Sequence, residues 1–207
     1  MRKLFITTAA VCSLMSSLAS AKTEGNYVGI DLVQTQTSAT KTKDGNGTTP
    51  NSTTFKVRDE NNISLGLNYK YAFNFNNFFI APGVLVDYAN VSAHDSVNDS
   101  WNLDYRLGLN IDLGYDITDK IAVFAKTGLV NNYYHVNWAG NKEKSGSDLS
   151  LSYGLGAKYS VLDNLDAVLS YETSSLDMES PNYVTKVGKE TTRFELDIIK
   201  IGASYKF

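Results

Sequence analysis

Residue types that do chemistry are sparse in this 207-residue chain, which has one cysteine, Cys12, and two histidines, His94 and His135. His94 opens the tripeptide His94-Asp95-Ser96, where an extended backbone puts the imidazole and the Ser96 hydroxyl on one side. Nucleophilic catalysis needs a base within bonding reach of the hydroxyl and a third group orienting that base. Adjacent residues in a connecting loop do not meet that need, so no catalytic residue is expected. His135 follows Tyr133-Tyr134, and no pairing of histidine with carboxylate has the spacing of a zinc site. No glycine-rich turn leads from a strand into a helix to cradle phosphate. The expectation is a protein that is not an enzyme and carries no cofactor.

Charged residues at alternating positions are the more telling set. Lys70, Asp104, Arg106, Asp112, Lys126, Lys158 and Glu172 are expected to form an internal charge network, with Asp31, Asp87, Asp116, Asp166, Lys200 and Lys206 beside them. These thirteen divide into seven acids and six bases. Charges held away from water are costly unless paired. The near balance therefore predicts ion pairs and bound water that plug an interior. The rival reading is a narrow cation-selective pore lined by Asp104, Asp112 and Asp116.

The elements that must position these charges are strands. From Leu103 to Ile117, Leu103, Tyr105, Leu107, Leu109, Ile111, Leu113, Tyr115 and Ile117 alternate with Asp104, Arg106, Gly108, Asn110, Asp112, Gly114 and Asp116. A period of two over fifteen residues is a strand with two chemically opposite faces. Ile63 to Phe73 and Leu149 to Tyr159 repeat the pattern; Tyr27 to Gln34, Phe78 to Tyr88, Ile121 to Tyr134, Leu165 to Thr173 and Phe194 to Phe207 show it more weakly. That makes eight strands. One face is long and rich in Leu and Tyr, the other is Gly, Ser and Asn with charges. Large apolar residues facing lipid and small polar ones facing a narrow lumen fit an eight-stranded antiparallel up-and-down transmembrane β-barrel. A soluble lipocalin-like barrel would need its apolar face inside. Tyr71, Phe73, Tyr115, Tyr159 and Tyr205 fall near strand ends, where aromatic girdles belong.

Connections alternate in length. Asn74 to Asn77, Thr118 to Lys120 and Val161 to Asn164 are short; Thr35 to Asn62, Ala89 to Ser100, Asn137 to Asp148 and Asp177 to Thr192 are long. Transmembrane barrels have short periplasmic turns and longer external loops, which places both termini on the periplasmic side. Phe194, Leu196 and Ile198 have the opposite parity to Ile201 and Tyr205, which predicts a bulge near Ile198-Ile199.

At the amino end, Arg2 and Lys3 precede an apolar stretch from Leu4 to Leu18, and Ala19-Ser20-Ala21 has the small-x-small form of a signal-peptidase site. Residues 1–21 are expected to be a signal peptide and 22–207 the barrel. Cys12 would leave with the leader, so the mature chain has no thiol, disulfide or cysteine-based metal site. Loss of Arg2 and Lys3 takes the net charge from −3 to −5, no footprint for nucleic acid. Thirteen tyrosines and nine phenylalanines beside three prolines also favour strands.

Ile201, Ala203, Tyr205 and the terminal Phe207 share one face and end the chain on an aromatic residue. This is similar to the assembly signal of outer-membrane barrels, and the mature chain resembles the small OmpA-like and opacity-like outer-membrane surface proteins, with no peptidoglycan-binding domain expected after the barrel. The resemblance implies a surface or structural barrel in the bacterial outer membrane, adhesin-like or serving envelope integrity, that acts through external loops. Partners so implied are outer-membrane lipid and a host or extracellular-matrix protein. The first long loop reads as a mobile hydrophilic cover. The fourth holds apolar anchors in a polar frame, and Leu176, Met178, Tyr183 and Val184 are its expected partner-binding residues. A small-solute pore and a lipid-modifying enzyme based on His94 are the alternative functions.

Overall fold

Bilayer hydrocarbon offers no partner for backbone N–H and C=O groups, so strands that alternate as these do can cross it only as a closed sheet. A computed structural model of the chain describes residues 23–43, 51–55, 63–94, 100–138, 142–180 and 190–207. The expected leader, Asp95, Ser96, Tyr183 and Val184 lie outside the described residues. The strands are β1 (Gly25–Lys43), β2 (Asn51–Phe55), β3 (Ile63–Phe75), β4 (Phe78–His94), β5 (Ser100–Asp116), β6 (Ile121–Trp138), β7 (Lys142–Leu162), β8 (Leu165–Ser180) and β9 (Glu190–Lys206). All pairings are antiparallel, and β9 returns to pair with β1. The short β2 pairs with the upper part of β1, on the side that β3 takes lower down, so nine strands fill eight positions around the barrel. The eight-stranded closed antiparallel barrel expected from the alternation is the fold observed.

One end holds the carboxy terminus, the start of β1 and the tight turns. There Asn76, with φ 60°, lets Phe75 and Phe78 pair directly across the β3–β4 turn. Asparagine tolerates this left-handed geometry better than most residues. At the loop end the strands run further than expected: β1 reaches Lys43, β4 reaches His94, and β7 begins at Lys142. Strands of 13 to 21 residues from β3 to β9 exceed the roughly 9–11 that a tilted strand needs to cross a bilayer. The surplus stands at the loop end.

The faces are inverted relative to a soluble protein. Among the described residues, 34 large apolar side chains are exposed and 18 apolar residues are buried, alongside 19 buried polar or charged ones. The exposed set forms a belt, with Tyr105 to Tyr115 marking its span on β5. Tyrosine hydroxyls at its edges find polar partners. At the turn end, Tyr69 donates to Asn26 Oδ1 (2.6 Å), and Asn164 Nδ2 donates to Tyr205 Oη (3.0 Å). Toward the loop end, Tyr171 donates to Asp197 Oδ1 (2.6 Å).

Above the belt the barrel parts into two sheets. β7 and β8 pair only up to Ser152↔Ser174, and β3 and β4 only up to Gly66↔Asp87. Beyond those points, among the described residues, β4–β7 form one sheet and β8, β9, β1 and β2 the other. Their facing sides are apolar: Ala89, Val91, Trp101, Leu103 and Val136 meet Leu176, Phe194, Leu196, Ile198 and Val33. The Trp101 and Phe194 rings lie 6.3 Å apart.

This layer corrects two expectations. No bulge occurs near Ile198-Ile199: β9 keeps an unbroken register with both neighbours, so Phe194, Leu196 and Ile198 point inward. Water surrounds this end instead of lipid, so burial reverses and the apolar face turns in. The alternation from Leu103 to Ile117 is itself broken, by a register shift between Leu103 and Tyr105 that turns Leu103 into the core. Truncating Phe194 to alanine should leave a cavity and cost about 3–5 kcal/mol in denaturant unfolding from lipid or micelles. Ile201→Ala, on the lipid face of the same strand, should cost clearly less.

Candidate functional site

Below the apolar layer, inward positions of β4, β5, β6, β8 and β9 bring together Asp87, Arg106, Asn132, Glu172 and Lys200. All five are at most 2% exposed. Arg106 is the hub: it donates to Asp87 Oδ2 (3.1 Å), Glu172 Oε1 (2.5 Å) and Asn132 Oδ1 (3.3 Å). Lys200 Nζ donates to the same Asp87 Oδ2 (2.6 Å) and lies 3.9 Å from Glu172 Oε2. The planar guanidinium donates from separate nitrogens to carboxylates on two strands and to the Asn132 amide on a third. Two acids and two bases cancel.

Nearer the turn end, Lys70 Nζ pairs with Asp112 Oδ2 at 2.5 Å, Asn110 Nδ2 donates to Asp112 Oδ1 (3.1 Å), and Asn68 Nδ2 donates to Asp31 Oδ2 (2.8 Å). Lys126 is buried and holds its ammonium 6.0 Å from the Phe124 ring centre. Lys158 pairs with Asp166 at 3.5 Å and lies over the Tyr27 and Phe79 rings at 5.1 and 5.4 Å. The Phe79 and Phe124 rings fill the side-chain space of Gly114 and Gly156, so glycine there is a matter of room. The lumen is thus layered: apolar at the loop end, a dense charge cluster in the middle, and ion pairs among aromatic rings toward the turns.

Of the seven network residues expected from sequence, Lys70, Arg106, Asp112, Lys126, Lys158 and Glu172 face the lumen. Asp104 does not. The β5 bulge carries it out of the network, where its Oδ1 meets His135 Nδ1 at 2.8 Å and both side chains are partly exposed. Without it the inward acids and bases are equal in number. Leu176 is also corrected: it is 1% exposed, inside the two-sheet core, and offers no docking anchor. Met178 sits on β8 opposite Thr192. His94 ends β4, paired with Ser100. Asp87 and Lys200, expected from strand parity beside the seven, belong at the centre of the network.

Among the described residues, cavities of about 40, 30 and 10 Å³ lie in the aromatic, charged and apolar layers. The first two exceed the roughly 10–15 Å³ of accessible space that one water needs. The middle cavity lies among Lys70, Lys126, Lys200, Asp31 and Asn110. Asn110 Oδ1 has no protein partner, which suits a trapped water there.

A closed barrel of this kind, with lipid-facing belt and filled lumen, matches the family described as outer membrane protein beta-barrel domain over residues 5–207. The chain belongs to that family. Solved structures of similar fold include Ail, the attachment invasion locus protein of Yersinia pestis, in complex with the heparin analogue sucrose octasulfate, at 17% identity and TM-score 0.52, covering 89% of this chain and 99% of that one. OprG from Pseudomonas aeruginosa is 15% identical, with TM-score 0.54 and coverage of 92% and 99%. The outer membrane protein AlkL is 14% identical, with TM-score 0.51 and coverage of 93% of each chain. At such identities the likeness is one of fold. No match is found among curated proteins.

Replacing Arg106 with methionine leaves Asp87 and Glu172 sharing Lys200 in the buried interior, and should destabilise the barrel by about 3–5 kcal/mol. Adding Glu172→Gln restores the charge balance and should recover part of that loss in the same unfolding assay, because Asp87 and Lys200 then pair alone.

Proposed function

We propose that this outer-membrane barrel acts through its exterior. Its loop end, presented outside the cell, serves as an adhesin-like surface for a host or extracellular-matrix protein, with both termini in the periplasm. The observation that carries the reading is the filled lumen, with the Asp87–Arg106–Glu172–Lys200 cluster closing the middle and ten apolar residues closing the layer above it. A path for solutes would require breaking buried ion pairs, which disfavours the narrow-pore alternative. Among the described residues no group of three or more metal-ligating side chains occurs, and the reading assigns no catalytic step.

What remains to act is the two-sheet extension above the belt. Its outer face on β8 and β9 carries Asp177, Glu195 and Asp197, with Arg193 next to Asp177 (3.8 Å). That excess of acid favours a partner with basic or hydroxyl-bearing groups over a polyanion. Ail was solved with a sulfated ligand; the same chemistry on this face would meet three carboxylates.

The test uses two refolded barrels, one intact and one in which residues 40–54 and 178–192 are replaced by two-residue turns. The trimmed form keeps the pairs Ala39↔Phe55 and Asp177↔Arg193, and with them the apolar core. Saturable binding of extracellular-matrix proteins by the intact barrel alone is the expected result. No binding by either form, with both folded, would point to a role in envelope integrity instead. In planar bilayers neither form should give single-channel events of stable size, and such events from the intact barrel would contradict the closed lumen.

A further inference from the structure

The β5 bulge breaks the most regular alternation in the chain for a contact that stability does not require. Asp104 has no partner in the register of either β4 or β6, so it and Tyr105 both face outward, and its carboxylate meets His135 Nδ1 at 2.8 Å. Both side chains are partly exposed, and a pair so placed contributes no more than about 1 kcal/mol even when fully ionised. Bulges that re-aim one side chain are concentrated beside active sites.

The register builds a row around this pair. Ser92 on β4, Asn102 on β5, His135 on β6 and Ser145 on β7 are successive partners across the outer face of the β4–β7 sheet. Directly opposed residues hold their Cβ atoms about 4.5–5.5 Å apart, so rotation of the side chain brings Ser145 Oγ within bonding reach of the imidazole. Ser145 is exposed, and its hydroxyl is not engaged elsewhere among the described residues. With Nδ1 turned to the carboxylate, Nε2 is the nitrogen left to take a proton. On the other side, Ser92 Oγ donates to Asn102 Oδ1 at 2.6 Å, which orients the amide and leaves its Nδ2 hydrogens available. An orienting acid, a general base, a hydroxyl and an amide donor are the parts that acyl transfer needs.

We propose that Ser145, His135 and Asp104 form a serine-hydrolase triad on the outer wall of the extension, with Asn102 Nδ2 donating to the oxyanion, and that its substrates are acyl esters of membrane amphiphiles. Ser145 Oγ attacks the ester carbonyl carbon as its proton passes to His135 Nε2. The bond from that carbon to the alcohol oxygen breaks, and the imidazolium returns the proton to the leaving oxygen. Water then attacks the acyl-Ser145 ester with the same base, releasing the carboxylic acid and restoring the hydroxyl. Asp104 stays ionised and holds the imidazole in position. The substrate class follows from what lies below the row: Tyr133 and Tyr105, stacked at 4.4 Å, and then Leu107, Leu109 and Leu129 of the lipid-facing belt. An acyl chain lying along that wall presents its ester where hydrocarbon gives way to water.

The test uses the refolded barrel and two probes. One is a fluorophosphonate that reacts with activated serines, its adduct located by peptide mass spectrometry; the other is a pair of p-nitrophenyl esters, butyrate and laurate. The expected result is an adduct on Ser145 and steady release of p-nitrophenol, with the lower KM for laurate. Ser145→Ala should lose the adduct, and turnover should fall by at least about a hundredfold in Ser145→Ala and in His135→Ala. Asn102→Ala should lower kcat by about a hundredfold. Asp104→Asn, which acts through His135, should lower kcat and slow the labelling with KM unchanged, a split that loosening of the fold would not give. Ser147→Ala, at the next outward serine of β7, should match the parent. Circular dichroism establishes that each form is folded. Neither adduct nor turnover from the folded parent, an adduct on Ser147 in place of Ser145, or turnover surviving in Ser145→Ala would each overturn the triad. Equal KM for the two esters would overturn the amphiphilic substrate. The row lies outside residues 40–54 and 178–192, so the result is independent of the recognition test.

Discussion

Seventeen paired positions between β1 and β9, from Tyr27↔Lys206 to Lys43↔Glu190, leave the first and last strands no free edge, and most other features follow from that closure. With eight positions the tube is narrow, so any side chain turned inward loses water. Charges placed there must neutralise one another, which is why Arg106 bridges to Asp87 and Glu172 and why Lys200 shares them. Rings placed there need flat neighbours, which is why glycines stand opposite Phe79 and Phe124. The apolar wall is the other face of the same pleat.

Closure is enforced only where lipid surrounds the sheet. Above the tyrosines of the upper belt the solvent is water, free strand edges are tolerable, and the β7–β8 and β3–β4 ladders stop. The two resulting sheets pack as a soluble sandwich does, apolar sides together and polar sides out. The main-chain amide of Asp177 donates to Asp148 Oδ2 at 3.2 Å across one of the gaps, a side chain standing in for the missing ladder. One chain therefore uses two opposite rules for burial within single strands: Ile201 is exposed to lipid while Ile198 is completely buried.

That change of rule marks how far the sequence could be read. Strand count, closure and the inward set of Lys70, Arg106, Asp112, Lys126, Lys158 and Glu172 were legible because lipid on one side and a narrow lumen on the other impose a strict period of two. The parity of Phe194, Leu196 and Ile198 was visible but read as a bulge, because nothing in the residue types marks the height at which lipid gives way to water. Leu176 was misplaced for the same reason: an apolar residue in a polar frame looks like an anchor until its strand is seen to continue inward-facing. A bulge that does occur, at Asp104, falls inside the cleanest alternation in the chain. Its partner His135 lies on another strand, and only the register brings them together.

The sandwich at the loop end also bears on how the protein stays where it is put. Its polar outer faces and apolar inner faces suit an aqueous compartment on the far side of the membrane from the tight turns. In the proposed orientation, a hairpin such as β8–β9 crosses the bilayer before Phe194 and Leu196 can find Val91 and Trp101 on the opposite sheet. Once they meet, withdrawal of any one strand would open that core and drag carboxylates such as Glu195 and Asp197 back through hydrocarbon. The extension thus works as a rivet head: formed after passage, wider in chemical terms than the hole it came through, it makes insertion a step with no easy return.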